Sequence, residues 1–136
     1  MDGAVAIIQT AAIQHNLQRV RAAAPGCRVM AVIKANAYGH GLIPVAKMLT
    51  GVDALAVARV AEGVQLRDAG ITQRIVVLEG CSEAEEARVA VLHSLELVVH
   101  DAVHFEILET LPGEEIVTVW LKLDTGMGRL GFEPSQ

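Results

Sequence analysis

Aromatic residues are scarce in this sequence: one Trp, one Tyr and two Phe among 136 residues. Ala, Val, Leu and Ile must therefore fill the core, as expected where small helices pack on a buried parallel sheet. Charge is sparse too, at 20% of residues, and the formal net charge is -5. An acidic balance with no basic stripe excludes wholesale nucleic-acid binding. The only two cysteines, Cys27 and Cys81, lack a C-x-x-C spacing, which suits reduced thiols in a cytoplasmic protein. No apolar run reaches the length of a membrane span, so no membrane partner is expected. The opening MDGAVAIIQTAA has no basic flank and does not read as a signal peptide.

Short apolar runs are what the sequence does have. RVMAVIK (28–34), ALAVA (54–58), RIVVLE (74–79), LELVVH (95–100) and IVTVWLKLD (116–124) recur at intervals of roughly twenty residues, enough for a strand, a helix and two loops. Helical patterns lie between them. HGLIPVAKML follows the first run, and RVAEGVQLRDAG follows the second and stops at Gly70. SEAEEARVAVL follows the third, with Ser82 as N-cap and Glu85 at capping-box spacing. DAVHFEILETLPG, opened by Asp101, follows the fourth. Ahead of them Thr10 is expected to cap a helix from Ala11 to Ala24, and VAIIQ before it reads as an isolated strand. Alternation of this kind predicts an α/β fold with a parallel sheet and right-handed crossovers. Two architectures satisfy it, a doubly wound open sheet or a piece of a (β/α)8 barrel, and both place function at the carboxyl ends of strands.

Two segments at such ends carry chemistry. The first is VIKANAYGHG, where an apolar run ends in Lys34. A lysine there either snorkels to water or works as a nucleophile: desolvation lowers the ammonium pKa, and the neutral amine can attack an aldehyde. Tyr38 is either a half-buried aromatic or a hydroxyl donor to a phosphate or carboxylate. Gly39 and Gly41 allow close backbone approach to a ligand, and His40 between them reads as a local hydrogen-bonder rather than a base. The second segment is LKLDTGMGRLGF (121–132). Its Gly126-x-Gly128-x-x-Gly131 matches the dinucleotide fingerprint in letters but lacks the helix that should open inside it and the acid further on. Asp124-Thr125-Gly126 matches the triplet of aspartic proteases, which are all-β, against the helical patterns here. The remaining reading joins the two segments: Lys122 and Arg129 bring cations to the same rim as Lys34, a setting for an anionic, aldehyde-bearing cofactor such as pyridoxal 5'-phosphate.

KANAYGHG (34–41) and LKLDTGMGRLGF (121–132) together resemble alanine racemase, a fold-type III pyridoxal-phosphate enzyme. HNLQRVR (15–21), ALAVARVAEGVQLRDAGI (54–71) and IVVLEG (75–80) resemble the same family in matching order, so the likeness covers nearly the whole chain. It implies that Lys34 holds the cofactor covalently and serves as one of two catalytic bases, the one acting on the D-side proton. It implies that Tyr38 contacts the cofactor phosphate, and that Arg129 hydrogen-bonds the phenolic oxygen of the ring or the substrate carboxylate. Lys122 matches a position that is carbamylated in several family members. The implied activity is racemisation of L- and D-alanine, supplying D-alanine for the bacterial cell wall.

The same resemblance sets expectations of incompleteness. Residues 1–136 are expected to be the N-terminal part of a (β/α)8 TIM barrel, without the second barrel half and the β-rich domain. The second base, a tyrosine from a partner subunit, and most phosphate ligands are expected outside this chain. It should therefore be inactive alone and work as a homodimer or with a complementary C-terminal half. The strand IVTVWLKLD is expected to leave an open, association-prone edge. The alternative function is a non-catalytic pyridoxal-phosphate-binding or subunit-interaction module.

Overall fold

The computed structural model describes residues 4–134. Its elements run in the order α1 (Thr10–Ala23), β1 (Met30–Val32), α2 (Lys34–Tyr38), α3 (Leu42–Met48), β2 (Ala54–Val57), α4 (Val60–Asp68), β3 (Arg74–Val77), α5 (Ala84–Leu92), β4 (Glu96–Val99), α6 (Val103–Glu109) and β5 (Val119–Leu121). The strands form one sheet in the order β1-β2-β3-β4-β5, every pair parallel. This order decides between the two architectures. A doubly wound sheet reverses its strand order at a switch point, whereas here each strand lies beside its predecessor, as in the first part of a (β/α)8 barrel.

The two faces of the sheet have different company. Leu55, Val57, Ile75, Val77 and Leu97 pack with Ala46, Leu66, Ala87 and Ala90 of the helices in one large core. Their sequence neighbours Ala54, Ala56, Val76 and Val98 form a second, smaller cluster on the other face, with Met30 and Leu78 against it. Period-two alternation alone produces this split, because successive strand side chains point to opposite faces. The second face also carries polar residues. Arg74 Nε and Nη2 donate to Glu96 Oε1 and Oε2 at 2.6 and 2.9 Å, and Trp120 Nε1 donates to Glu96 Oε2 at 2.6 Å. Burial pushes the Glu96 carboxyl up, but the bonds from Arg74 and Trp120 outweigh it and hold the group below its ordinary value.

Several local expectations differ from what forms. Thr10 begins α1 but does not cap it; its hydroxyl lies against Met48 Sδ at 3.6 Å. Val5–Gln9 is not a strand: Val5 and Ile7 are exposed, and among the described residues no strand lies beside the segment to complete a ladder. Ser82 is not the N-cap of α5. Glu83 occupies that place, and Ser82 donates both its amide and its hydroxyl to Glu86, at 2.8 and 2.7 Å. The acid that folds back is thus one residue later than capping-box spacing requires. Asp101 does serve α6, accepting the amide of Val103 at 3.0 Å. The last strand is much shorter than 116–124. Pairing begins where Leu97 donates to the Thr118 carbonyl and ends where the Lys122 amide donates to Val99. Beyond that point the chain turns back on itself, and Val119, Trp120 and Leu121 remain exposed along the edge.

Candidate functional site

The site is built on an unusual turn. After β1, Ala35, Asn36, Ala37 and Tyr38 all adopt left-handed backbone, with φ of 52°, 55°, 52° and 53°. For L-residues other than glycine this costs about 1–2 kcal/mol each, and single residues are the rule. Four in a row must be held from outside. Asn36 Oδ1 accepts the amide of Leu42 at 2.8 Å, and the Asn36 carbonyl accepts the amides of Gly39 and Gly41 at 3.1 and 2.9 Å. The His40 imidazole lies 3.0 Å from the Ala37 carbonyl and 3.1 Å from that of Tyr38, the local structural role its position suggested. Ala37 is buried, so a larger side chain could not follow the same path. The turn lets the chain reverse directly behind Lys34, at the carboxyl end of β1.

Lys34 lines a cavity of about 750 Å3 on the inner face of the sheet. Met30, Val76, Val98 and Trp120 supply apolar wall, while Lys122, Arg129, Glu79 and His100 supply charge or polarity. The two sequence segments therefore meet: Lys34 shares one space with Lys122 and Arg129 although they lie 88 and 95 positions further along the chain. Tyr38 does not line this cavity; it is 60% exposed.

The segment carrying Arg129 is fixed by its own backbone. Asp124 accepts the amides of Gly126 and Gly128, at 2.9 Å from each to its nearer oxygen. The Asp124 amide donates to the Phe132 carbonyl, and the Phe132 amide donates back to the Lys122 carbonyl, at 2.8 and 2.9 Å. Gly131 makes this return possible, since a Cβ there would lie 2.9 Å from the Asp124 nitrogen and 3.0 Å from the Lys122 oxygen. Lys122 Nζ donates to the Leu130 carbonyl. The carboxylate of Asp124 thus serves as the clasp of a loop, which removes the aspartic-protease reading. No helix opens among the three glycines of this segment, which removes the dinucleotide reading.

The amides of Gly126 and then Gly128 hold the Asp124 carboxyl below its ordinary value of 3.8. A group whose folded pKa is depressed stabilises the fold above its unfolded pKa and loses that contribution as pH falls through the folded value. The loop should accordingly stay closed at neutral and mildly acidic pH and open only below about 3.8. Following the amide resonances of Gly126 and Gly128 through an acid titration checks this; a midpoint at or above the ordinary aspartate value would contradict it.

Besides the aliphatic lining, three cavity residues with polar groups escaped the sequence reading. Trp120 lay inside a run read only as a strand, and Glu79 and His100 ended two other runs without any motif around them. A period-two count along the last run would have set Trp120 on one face of its strand, and Glu79 and His100 lie just past the ends of β3 and β4, but nothing in the sequence put the three on a shared wall. His100 Nε2 lies 3.1 Å from the Glu79 carbonyl, and the His100 amide donates to His104 Nδ1 at 3.2 Å. Burial, then the neighbouring His100, pulls His104 below its ordinary value, consistent with a neutral ring that accepts this bond. Among the described residues no cluster of three or more His, Cys, Asp or Glu could hold a metal ion, and no helix is long and apolar enough to cross a membrane.

The family described as alanine racemase, N-terminal domain, matches residues 8–136. Alanine racemase of Edwardsiella ictaluri is 46% identical over the whole chain, and the biosynthetic alanine racemase of Escherichia coli is 47% identical over the whole chain. That of Nitrosococcus oceani is 49% identical over 95% of it. The crystal structure of biosynthetic alanine racemase from Pseudomonas aeruginosa superimposes on 93% of the chain with a TM-score of 0.87 and 41% identity, covering 36% of that structure. The chain spans only 36–38% of the length of these curated relatives. With a parallel sheet of matching course and a family match over almost its full length, this chain belongs to the alanine racemase family, as its N-terminal barrel part.

Proposed function

We propose that this chain carries the cofactor-attaching half of an active site that interconverts L- and D-alanine with pyridoxal 5'-phosphate. The observation that supports this reading is the shared cavity of Lys34 and Arg129, walled by apolar side chains. The residues present fit the group. The volume falls within the roughly 300–1,000 Å3 of small-molecule sites. Lys34, Lys122 and Arg129 against the single acid Glu79 leave a cationic surplus for an anionic ligand.

When bound, the cofactor supplies an electron sink that makes the Cα proton of an amino acid removable. Lys34 would hold the cofactor through its aldehyde carbon, and its amine would hold the Cα proton on one face of the substrate. Arg129 offers a planar, bidentate donor to the phenolic oxygen or to the substrate carboxylate. Met30, Val76 and Val98 exclude water from that face. Carbamylation of Lys122 would replace a cation beside Arg129 with an anion, and the remaining N–H could still donate to Leu130. Tyr38, exposed at the mouth of the turn, is available to a phosphate. The opposite face needs a second base from another polypeptide segment, either a partner subunit or a complementary C-terminal half, consistent with the exposed edge at β5. The biosynthetic name of the Escherichia coli relative supports a role in D-alanine supply, and the proposed place for it is the cytoplasm.

Three lysines compete in the test: Lys34, Lys47 and Lys122. Pyridoxal phosphate followed by borohydride should leave a pyridoxyl group on Lys34, mapped by peptide mass, and Lys34→Ala should abolish it. Equal labelling of Lys47 would sink the reading. Capture at Lys34 without exchange of the alanine Cα proton in deuterated solvent, even with the remaining polypeptide supplied, would favour the non-catalytic binding module instead.

A further inference from the structure

One carboxylate ties the strained turn to the rest of the fold. Glu62, in the first turn of α4, accepts the amide of Ala35 on Oε1 at 2.7 Å. Its other oxygen, Oε2, accepts the amides of Ala58 and Arg59 at 2.8 and 3.2 Å. Ala35 is the residue directly after Lys34 and the first of the left-handed run, with φ 52° and ψ 53°. The Ala58 and Arg59 amides belong to the segment between β2 and α4. Glu62 therefore joins the carboxyl ends of two neighbouring strands through a side chain 27 positions from Ala35.

The energetics need such a tie. The left-handed run has no glycine, so each member stays in a region that its Cβ disfavours. Asn36 and His40 brace the later part of the turn, but at its start Glu62 takes the Ala35 amide. Charge-assisted bonds of this kind are about twice as strong as neutral ones. Glutamine cannot replace it: a single carbonyl oxygen cannot serve both sides, and its NH2 would confront one of the amides.

We infer that Glu62 is a positioning residue for Lys34, setting the direction in which its amine enters the cavity by clamping the Ala35 amide. The inference rests on the proposed role of Lys34. It differs from ordinary capping of α4, which would concern only the Ala58 and Arg59 amides.

The test uses the chain itself with two readouts: pyridoxyl labelling of Lys34 relative to Lys47, and hydrogen exchange at the Ala35 amide. Glu62→Gln should speed Ala35 exchange and lower selective labelling of Lys34 about tenfold, the scale of effect that misplacement of a reacting group produces. Adding Ala35→Gly to Glu62→Gln should restore labelling, because glycine enters the left-handed region without the Cβ penalty. Unchanged labelling in Glu62→Gln overturns the inference. So does a loss, by unfolding or otherwise, that Ala35→Gly does not restore, since capping of α4 gains nothing from glycine on another loop. If the unsubstituted chain fails to label Lys34 selectively, the cofactor reading itself fails, while Ala35 exchange still reports whether Glu62 clamps the turn.

Discussion

Arg67→Met should lower the unfolding free energy by about 3 kcal/mol, the range of hydrogen bonds to a charged group discounted for partial exposure. The side chain lies at the end of α4 and gathers four carbonyls. Nε donates to His93 O at 2.8 Å, Nη1 to Ile71 O and Gln73 O at 2.7 Å each, and Nη2 to Ser94 O at 3.0 Å. Two of these belong to the connection from α4 to β3 and two to the turn from α5 to β4. A single planar group thus pins the backbone that leads into each of two neighbouring strands. Burial draws the guanidinium below its ordinary value, opposed by Glu96, yet it remains cationic at any pH of interest. Methionine keeps the apolar stem and removes all the donors, leaving the carbonyls to whatever water reaches them. Lysine keeps the charge but cannot meet four acceptors from a fixed fork. The expected fall in melting temperature is about 10 °C for a domain of this size, with Arg67→Lys recovering only a minor part. A melt of Arg67→Met within a degree or two of the parent would show that these bonds are exchanged for water at no net cost.

Gly80→Ala should be at least as damaging. Gly80 has φ +73°, and a Cβ there would stand 2.5 Å from the Val98 carbonyl oxygen and 3.0 Å from His104 Cε1. Backbone cannot swing aside as a flexible side chain can, so β4 or the β3 exit must shift. Overpacking and left-handed strain together make a loss of about 3 kcal/mol or more. The damage should reach the site, because Val98 lines the cavity and His104 braces His100. Gly70→Ala is the control. Its φ is +82° but nothing lies within 4 Å, so only the backbone term applies, about 1 kcal/mol. Chemical denaturation of both variants separates the two effects; equal losses would show that the contact with Val98 relaxes freely.

Much of the fold was legible because the signals were local. Five apolar runs separated by helical patterns became five parallel strands, and Gly70 ended α4 with the Ile71 amide donating back to Leu66 at 3.0 Å. The meeting of Lys34 with Lys122 and Arg129 followed from motifs at strand ends, which a parallel sheet gathers on one rim. Other features were hidden for physical reasons. Asn36 and His40 brace the later part of the left-handed turn locally, but its start at Ala35 has no local support; a carboxylate in the next repeat accepts the amide that begins the turn. Ser82 satisfied a capping rule in letters, but Glu86 reached it before Glu85 could. The exposure of Tyr38 follows from the same turn, which sends that ring outward.

By itself the sequence determined the period, the parallel alternation and the placing of a lysine and an arginine at strand ends. These depend on side-chain polarity along a few residues, and a strand exit always points to the same side of a parallel sheet. Only the tertiary structure decided that the sheet curls in one direction rather than winding both ways. It alone decided that Trp120, Arg74 and Glu96 close the inner face and that Glu62 holds the turn behind Lys34. Each of those outcomes depends on which distant backbone groups lack partners, and that becomes defined only when the strands are already side by side.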